Sequence, residues 1–449
     1  MSLAKVSKIL LVVFVSVFLM VLCACQTEES STDGQGTGGN NEWPVYKLYG
    51  LNFSPYMGDQ DPNLGVQISE EQIYERMGII ADYTNWIRTF GSTHGLEAAG
   101  FIGHNLGLKV AMGAWLDSDT YTNLQEIDNL VTYAGLGDAD LLIVGSEVLL
   151  RGDMTEDELI SYIESVKQRT VGIPVTYADT YSELLRHPRI IDAVDVVLVN
   201  YYPYWEGVSV DLAVAQIHQW HKEILELAKG KKVIVSETGW PSAGDVKRNA
   251  VPSLENASFF FLNFVSWARA NNVEYFYFEA FDEPWKAKYE GPQGAHWGIW
   301  YENGEMKPGM ERVFNGETME DNWSNPPIPG GPGEPDIEIT HVPNKEDVND
   351  RDLVGQVWHV NPGDYRVAVY IYVNGGWWTK PYWDFPLTLI RIDGSWVCNV
   401  VTGGSDRSAT KFAAFLVPKG YQPPLGRGEP TLPAELEENA VAWTEVERP

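Results

Sequence analysis

The sequence contains little cysteine, and this scarcity limits how the chain is stabilised. Its 449 residues include three cysteines, Cys23, Cys25 and Cys398, of which the first two lie close to the amino terminus. A disulfide framework is therefore excluded for the remainder of the chain. Cys398 lies in an apolar, strand-like stretch, so we expect a buried structural thiol rather than a nucleophile.

Basic residues are also scarce, since 32 Lys and Arg stand against 62 Asp and Glu and give a formal net charge of −30. Such an excess of negative charge opposes binding to nucleic acid or to anionic lipid headgroups. The sequence also lacks a Gly-rich phosphate loop, so nothing predicts a nucleotide or redox cofactor. His218 and His221 have helical spacing, but their polar neighbours predict a solvated helix face rather than a metal site.

Long hydrophobic runs are absent except for Ile9–Leu22, which Lys5 and Lys8 precede. The run is short for a membrane span and has the length of a signal-peptide core. The sequence that follows, Leu22-Cys23-Ala24-Cys25, resembles a bacterial lipobox, in which Cys25 is lipidated. An uncleaved anchor helix is the alternative reading.

We therefore expect residues 1–25 to be a lipoprotein signal peptide. Residues 26–43, rich in Ser, Thr, Gly and acidic side chains, are expected to form a flexible tether. On this prediction the protein is exported and held in the bacterial cell envelope, on the periplasmic or cell-surface side. The lipid anchor would be its sole attachment to the membrane.

Aromatic residues, by contrast, are abundant at 12% of the chain. From Tyr46 to about Gly316, short β-rich runs alternate with amphipathic stretches such as Glu156–Arg169 and Leu212–Lys229, which is typical of repeated βα units. The eight candidate strands are Lys47–Pro55, Asn85–Phe90, Lys109–Leu116, Leu141–Val148, Ile173–Ala178, Val196–Tyr202, Lys232–Glu237 and Val273–Phe281. This count predicts an α/β fold, a (β/α)₈ TIM barrel over residues 44–318.

A Pro- and Gly-rich break at residues 325–333 predicts a linker, to which we assign residues 319–335. Beyond it, Arg366–Val373 alternates apolar and other residues with the period of a half-buried strand. Thr388–Ile392, Ser395–Val401 and Phe412–Val417 have similar character. We expect residues 336–449 to form a small all-β, sandwich-like accessory domain.

Two buried strands of the predicted barrel end in a carboxylate. Leu141–Val148 carries Glu147, and Val233-Ile234-Val235-Ser236-Glu237 is followed by a Gly-Trp-Pro turn. Strands four and seven face each other across a barrel mouth, where TIM-barrel enzymes place their catalytic groups. Two carboxylates in this arrangement fit glycoside hydrolysis, and a separation of about 5–5.5 Å allows the direct attack that retains configuration.

These segments resemble glycoside hydrolase family 17. The Glu237 segment is similar to that family's nucleophile motif, Val144-Gly145-Ser146-Glu147-Val148 to its acid/base motif, and Tyr275–Lys286 to the eighth-strand motif of its microbial members. The likeness covers essentially the whole barrel. It implies Glu147 as acid/base, Glu237 as nucleophile, a β-1,3-glucan such as laminarin as substrate, retention of configuration, and neither a metal nor an organic cofactor.

One residue departs from the family pattern. The family usually has Asn before the acid/base, where its amide contacts the 2-hydroxyl of the sugar being cleaved, and this chain has Ser146. A hydroxyl is shorter and offers one donor. Because contacts to the 2-hydroxyl strengthen in the transition state, Ser146 predicts a lower rate or an altered subsite geometry.

Further substrate-binding candidates end other strands of the barrel. Arg88 could hold a cleft carboxylate ionised or form a structural ion pair, and one phenol of the Tyr201–Tyr202 pair could orient Glu237 while the other packs in the core. The remaining candidates are Trp240 as a sugar-stacking wall, and Glu279, Glu283 and Lys286 as groups that bind sugar hydroxyls or fix the acid/base.

The accessory domain contains an aromatic run at residues 377–383, which suits either carbohydrate binding or core packing. Since consecutive strand residues point to opposite faces, one of Trp377 and Trp378 is expected in the core.

Three functions remain open. The first is a retaining hydrolase of β-1,3-glucan that acts as a monomer on polysaccharide or oligosaccharide. The second is a transglycosylase that passes the same covalent intermediate to a sugar, and the third is a catalytically weak, glycan-capturing surface lipoprotein.

Overall fold

The computed structural model describes residues 45–448, so the predicted signal peptide, Cys25 and the predicted tether over residues 26–43 lie outside the described residues. Eight parallel strands close into a barrel in sequential order. They are β1 (Leu48–Asn52), β2 (Thr84–Arg88), β3 (Lys109–Ala114), β4 (Leu141–Ser146), β5 (Val175–Thr180), β6 (Val197–Asn200), β7 (Val233–Glu237) and β8 (Glu274–Tyr277). The TIM barrel predicted from the sequence is confirmed, and each observed strand overlaps a predicted one.

Helices surround this barrel. They are α1 (Glu70–Ile80), α2 (Ala99–Asn105), α3 (Thr120–Leu136), α4 (Val148–Arg151), α5 (Glu156–Arg169), α6 (Tyr181–Arg186), α7 (Pro188–Ala193), α8 (Val210–Ala228), α9 (Leu254–Asn271), α10 (Ala287–Glu290) and α11 (Glu311–Phe314). Local sequence sets several of their ends. Thr155 and Glu158 form a reciprocal capping box that starts α5, and Gly137 ends α3 in the left-handed conformation.

The barrel strands are buried on both faces, as parallel strands covered by helices should be. Leu142, Val144 and Val235 pack outward in the large core between strands and helices. Residues at alternate positions, such as Ile143 and Ile234, form a separate cluster inside the barrel. The interior is therefore filled, and substrates have access only to the rim.

The carboxyl-terminal region contains β9 (Asp336–His341), β10 (Asp352–Trp358), β11 (Tyr365–Val373), β12 (Gly376–Lys380), β13 (Leu387–Thr388), β14 (Ser395–Asn399), β15 (Lys411–Pro418), β16 (Arg427–Glu429), α12 (Ala434–Asn439) and β17 (Ala442–Glu447). These strands form two antiparallel sheets, β14-β10-β9 and β16-β12-β11-β15-β17, with β13 paired to β11. Residues of both sheets, including Leu353, Ile371 and Cys398, share one core. The predicted all-β region is confirmed.

Two details of this region differ from the sequence prediction. Strand β11 is buried on both faces rather than on one. The face that was expected to be exposed carries Ala368 and Tyr370, which pack in a core with Phe415 of β15 and Leu436 of α12. Of the predicted strand Thr388–Ile392 only Thr388 is in a strand, since the chain then turns toward the barrel and Ile392 joins the barrel core. Cys398 is fully buried as expected, and burial raises the pKa of its thiol to about 12.

Helix α8 of the barrel provides much of the surface on which the all-β region packs. Glu223 accepts a 2.5 Å hydrogen bond from Arg366, with both side chains almost completely buried. Gln216 accepts a 2.6 Å bond from the backbone N–H of Ile392. At the edge of the interface, Arg391 Nη2 donates to Glu206 Oε2 at 2.7 Å. Paired charges and satisfied backbone groups thus fix how the two parts are oriented.

Candidate active site

Glu147 and Glu237 lie at the carboxyl-terminal rim of the barrel. Glu237 is the last residue of β7, and Glu147 directly follows β4. Both line two adjoining cavities at the barrel mouth, of about 520 Å³ and about 410 Å³. We call these the first and second cavities, and together they form the cleft.

Irregularities in the strands direct both carboxylates into the cleft. Between Ile143 and Ser146 the register of β4 shifts against β5 by one extra residue, and Gly145 adopts a φ of 86° there. Glu147 itself has a φ of 54°, a left-handed conformation that is costly for a residue with a side chain. A similar shift precedes Glu237, which pairs with Asn200. Bulges of this kind re-aim side chains next to active sites.

Glu237 is surrounded by hydrogen-bond donors. Arg88 Nη1 donates to Glu237 Oε1 at 2.6 Å, and Tyr202 Oη donates to Glu237 Oε2 at 2.7 Å. Ser146 Oγ lies 3.3 Å from Oε1 and accepts from Arg88 Nη2 at 3.0 Å. The two donors fix both carboxylate oxygens of Glu237 in place. A fixed carboxylate suits nucleophilic attack.

Glu147 has a different environment. Its Oε1 accepts a 2.8 Å hydrogen bond from the amide of Asn200, which Ser236 Oγ orients through a 2.6 Å bond. Burial and the negative charge of Glu237 raise the pKa of Glu147 to about 8, against the opposing effect of the Asn200 bond. Glu147 therefore holds a proton at neutral pH, as a general acid must. A proton donor beside a second carboxylate that hydrogen bonds hold in place is the arrangement that glycoside hydrolysis needs.

Two sequence-predicted site residues turn away from the cleft. Trp240 is 1% exposed, packs against Phe260 and donates from its indole to the carbonyl of Val251. It is therefore a core residue, because the turn after β7 directs it between barrel and helices. Tyr201 is likewise buried, with its hydroxyl paired to His221 Nδ1, whereas Tyr202 reaches Glu237.

The three charged candidates after β8 form a buried cluster beside the first cavity. Lys286 Nζ contacts Glu279 and lies 2.6 Å from Glu283 Oε2. Burial raises the pKa of Glu279 well above its usual range. Burial would also raise the pKa of Glu283, but Lys286 and a hydrogen bond from Ser54 hold it below its usual value. Glu283 and Lys286 line the cleft, whereas Glu279 does not line it and contacts Lys286.

Several residues that line the cleft were not singled out in the sequence. Asn200 is a polar residue at the end of an apolar strand, the same pattern that revealed both glutamates, so it could have been found. Trp285 lines the first cavity. Trp205, 39% exposed, and Trp297 line the second cavity. Loop aromatics of this kind have no periodic pattern that separates them from core residues.

The two helical histidines do not form the solvated face that was predicted. His221 is buried, and burial lowers its pKa to about 4, while His218 Nδ1 accepts from Trp267 at 3.1 Å. Within residues 45–448, no group of three or more His, Cys, Asp or Glu is placed to hold a metal ion. In the same residues, no helix is both long and apolar enough to cross a membrane.

Comparison with known proteins agrees with this geometry. Residues 50–298 match the model of the BtgE/BtgC glycoside hydrolase domain. A probable glucan endo-1,3-beta-glucosidase btgC of Aspergillus fumigatus is 29% identical over 60% of this chain, and the match spans only 44% of the fungal protein. The glucan 1,3-beta-glucosidase BGL2 of Candida albicans is 28% identical over 58% of this chain and 94% of its own length.

Among solved structures, the glycoside hydrolase family 17 beta-1,3-glucanosyltransferase of Rhizomucor miehei is 31% identical, with a TM-score of 0.53. It covers 59% of this chain, and the match includes 96% of the fungal structure. An active-site mutant of that enzyme was solved in complex with laminaritriose. This chain therefore belongs to the BtgE/BtgC glycoside hydrolase family, in agreement with its resemblance to glycoside hydrolase family 17.

Proposed function

We propose that this protein cleaves β-1,3-glucan with retention of configuration. The observation that carries the proposal is the unequal pair at the barrel rim. Both oxygens of Glu237 accept short hydrogen bonds from Arg88 and Tyr202, whereas Glu147 has its pKa raised to about 8. The family match and the β-1,3-glucan activities in the names of the relatives support the choice of substrate.

The proposed reaction has two steps. Glu237 attacks the anomeric carbon while Glu147 gives its proton to the departing glycosidic oxygen. A water molecule then attacks the glycosyl-enzyme ester, and Glu147, now ionised, accepts the proton of that water. Asn200 holds Glu147 in place for both transfers.

The orientation of the substrate follows from Ser146, the residue that precedes the acid/base. Family resemblance puts the 2-hydroxyl of the cleaved sugar against this position, and Ser146 lines the first cavity. The glycosyl unit that becomes attached to Glu237 thus occupies the first cavity. The leaving chain extends into the second cavity, where Trp205 offers a partly exposed ring.

Transfer to a sugar acceptor is the second candidate. The Rhizomucor miehei relative is named a glucanosyltransferase, and an aromatic-lined second cavity suits retention of an acceptor sugar. Transfer differs from hydrolysis only in whether a sugar hydroxyl or water resolves the intermediate.

We also propose that the protein is exported and lipid-anchored through Cys25 in the bacterial cell envelope. The basic start, the short apolar run and the lipobox-like sequence before Cys25 support this proposal. Metabolic labelling with an alkyne fatty acid tests it, since Cys25→Ala should abolish the label.

Incubation with β-1,3-, mixed-linkage and β-1,6-glucans tests the activity. We expect β-1,3-glucan to be cleaved with the β-anomer appearing first by NMR, and Glu237→Gln to be inactive. Products longer than an oligosaccharide substrate would establish transfer. Release of the α-anomer first would contradict retention, and binding without any new reducing ends would favour the glycan-capturing alternative.

A further inference from the structure

The cleft does not end at the barrel. Tyr181, Ser182, Glu206 and Trp220 line the second cavity, and the same four residues line a neighbouring cavity of about 270 Å³. We call this the junction cavity, because its other wall consists of residues 381–399 of the all-β region. The leaving-chain side of the catalytic cleft therefore continues into the interface between the two parts.

The junction cavity combines aromatic rings with polar side chains, as sugar-binding sites do. Tyr181 and Trp220 stack with ring centroids 4.6 Å apart and form its floor. Arg391 also lines the cavity, where Glu206 holds its side chain in place. Ser182 and Glu206 line both this cavity and the second cavity, and they offer a hydroxyl and a carboxylate to the hydroxyls of a sugar.

Beyond the junction lies an aromatic surface of the all-β region. Pro381 and Tyr382 line the junction cavity and also a cavity of about 700 Å³, which contains Trp378 and Trp383. Trp383 is 50% exposed and Tyr382 is 36% exposed. As predicted for consecutive strand residues, Trp377 is buried and Trp378 is the ring that reaches this surface.

We infer that the all-β region extends the catalytic cleft, so that one glucan chain occupies the second cavity, the junction cavity and the aromatic surface in turn. This inference rests on the proposed function, since it deepens the same substrate site. Its occupant is the leaving side of a long β-1,3-glucan, or a long acceptor chain in transfer. Flat aromatic rings complement the C–H faces of pyranose rings, and the surrounding polar groups complement their hydroxyls.

Contacts between the barrel and the all-β region also fix the relative positions of the cavities. Arg186 of α6 stacks over the ring of Tyr382 at 4.2 Å. Arg391 of the all-β region donates a hydrogen bond to Glu206 of the barrel. A rigid connection presents the aromatic surface in a fixed position relative to the catalytic acids. Such pre-organisation lowers the entropic cost of binding a long chain.

The test compares long laminarin chains with laminaritriose in the full-length protein. We expect Trp383→Ala to raise KM for long chains about three- to tenfold, the range for loss of one aromatic contact. The ratio of kcat/KM for long chains to kcat/KM for laminaritriose should fall by the same factor. Trp443→Ala is the matched control, because Trp443 is 47% exposed on the same region but lines none of the four cavities.

A direct binding measurement separates this inference from the proposed activity. Calorimetric titration of Glu237→Gln should give tighter binding of long chains than of laminaritriose, and Trp383→Ala in that background should remove most of the difference. An unchanged ratio in both assays, in protein whose control behaves normally, would overturn the extension and leave the activity standing. A wild-type protein that turns over no β-glucan would instead overturn the proposed function.

Discussion

At the scale of single residues, Glu147 and Glu237 differ in what surrounds them, and the difference predicts separable roles. Glu237→Ala should be inactive on every substrate, because both steps of the proposed reaction use Glu237 as the nucleophile. Glu147→Ala should still form the glycosyl-enzyme from an aryl glycoside with a good leaving group, which needs no proton. Added azide should then restore its turnover.

Steady-state kinetics on an aryl β-glucoside, with and without azide, checks this assignment. Tyr201→Phe is a suitable control, since Tyr201 is the sequence neighbour of Tyr202 but is buried in the core, where its hydroxyl pairs with His221 rather than with Glu237. Equal loss in the two glutamate variants, without rescue in either, would leave their roles unassigned.

The raised pKa of Glu147 predicts a pH dependence. Only protonated Glu147 can act as an acid, so kcat/KM should decline as pH rises through about 8. The folded protein holds this proton more tightly than the unfolded chain, whose glutamates have a pKa near 4.5. The free energy of unfolding should therefore decrease between about pH 4.5 and 8, and Glu147→Gln should reduce that slope.

Carboxyl ¹³C NMR titration of labelled protein measures the same pKa directly. The charge of Glu237 is one cause of the shift, after burial. Glu237→Gln should accordingly lower the pKa of Glu147. No change in that variant would mean that the charge of Glu237 does not contribute to the raised pKa of Glu147.

At the scale of elements, the bulge at the end of β4 directs the side chain of Glu147 into the cleft. Gly145 has a φ of 86°, and a Cβ there would lie 2.8 Å from the side chain of Val148. Gly145→Ala should destabilise the protein by about 1–3 kcal/mol, and should lower kcat because the bulge aims Glu147.

Urea denaturation and kinetics of the same sample check this prediction. Gly135→Ala in α3 is the matched control, because Gly135 has ordinary helical geometry and a Cβ added there would lie in open space. That change should be neutral or stabilising. A normal kcat in Gly145→Ala would show that the bulge is not needed to place the acid.

At the scale of the whole molecule, the buried pair of Arg366 and Glu223 links the all-β region to the barrel. Arg366→Met leaves a buried carboxylate, with Lys419 Nζ 3.8 Å away as the remaining cation. Loss of one partner of a buried pair costs about 3–5 kcal/mol. The double change Arg366→Met with Glu223→Met should recover much of that loss, since no isolated charge remains.

A double-mutant cycle measured by urea denaturation gives the coupling energy. Independent additive effects of the two changes would contradict a coupled ion pair. The cycle also reports whether the interface unfolds together with the barrel, because a separate transition for the all-β region would appear as a second step.

The barrel, its eight strands and the two strand-end glutamates could be predicted from the amino-acid pattern alone. Periodicity encodes these features directly: an apolar run of strand length must be buried, and a carboxylate at its end must emerge at the rim. The all-β character of the last part followed from the same reasoning. The family resemblance rested on short motifs at those same strand ends.

Which side chains enter the cleft depends on three-dimensional packing and could not be predicted in this way. Tyr201 and Tyr202 are neighbours in sequence, yet one reaches Glu237 and the other packs against His221. Trp240 follows the nucleophile and still lies in the core, whereas Trp383, far along the chain, lies on a surface continuous with the cleft. The direction of a side chain depends on bulges, turns and packing between distant segments, none of which leaves a periodic trace in sequence.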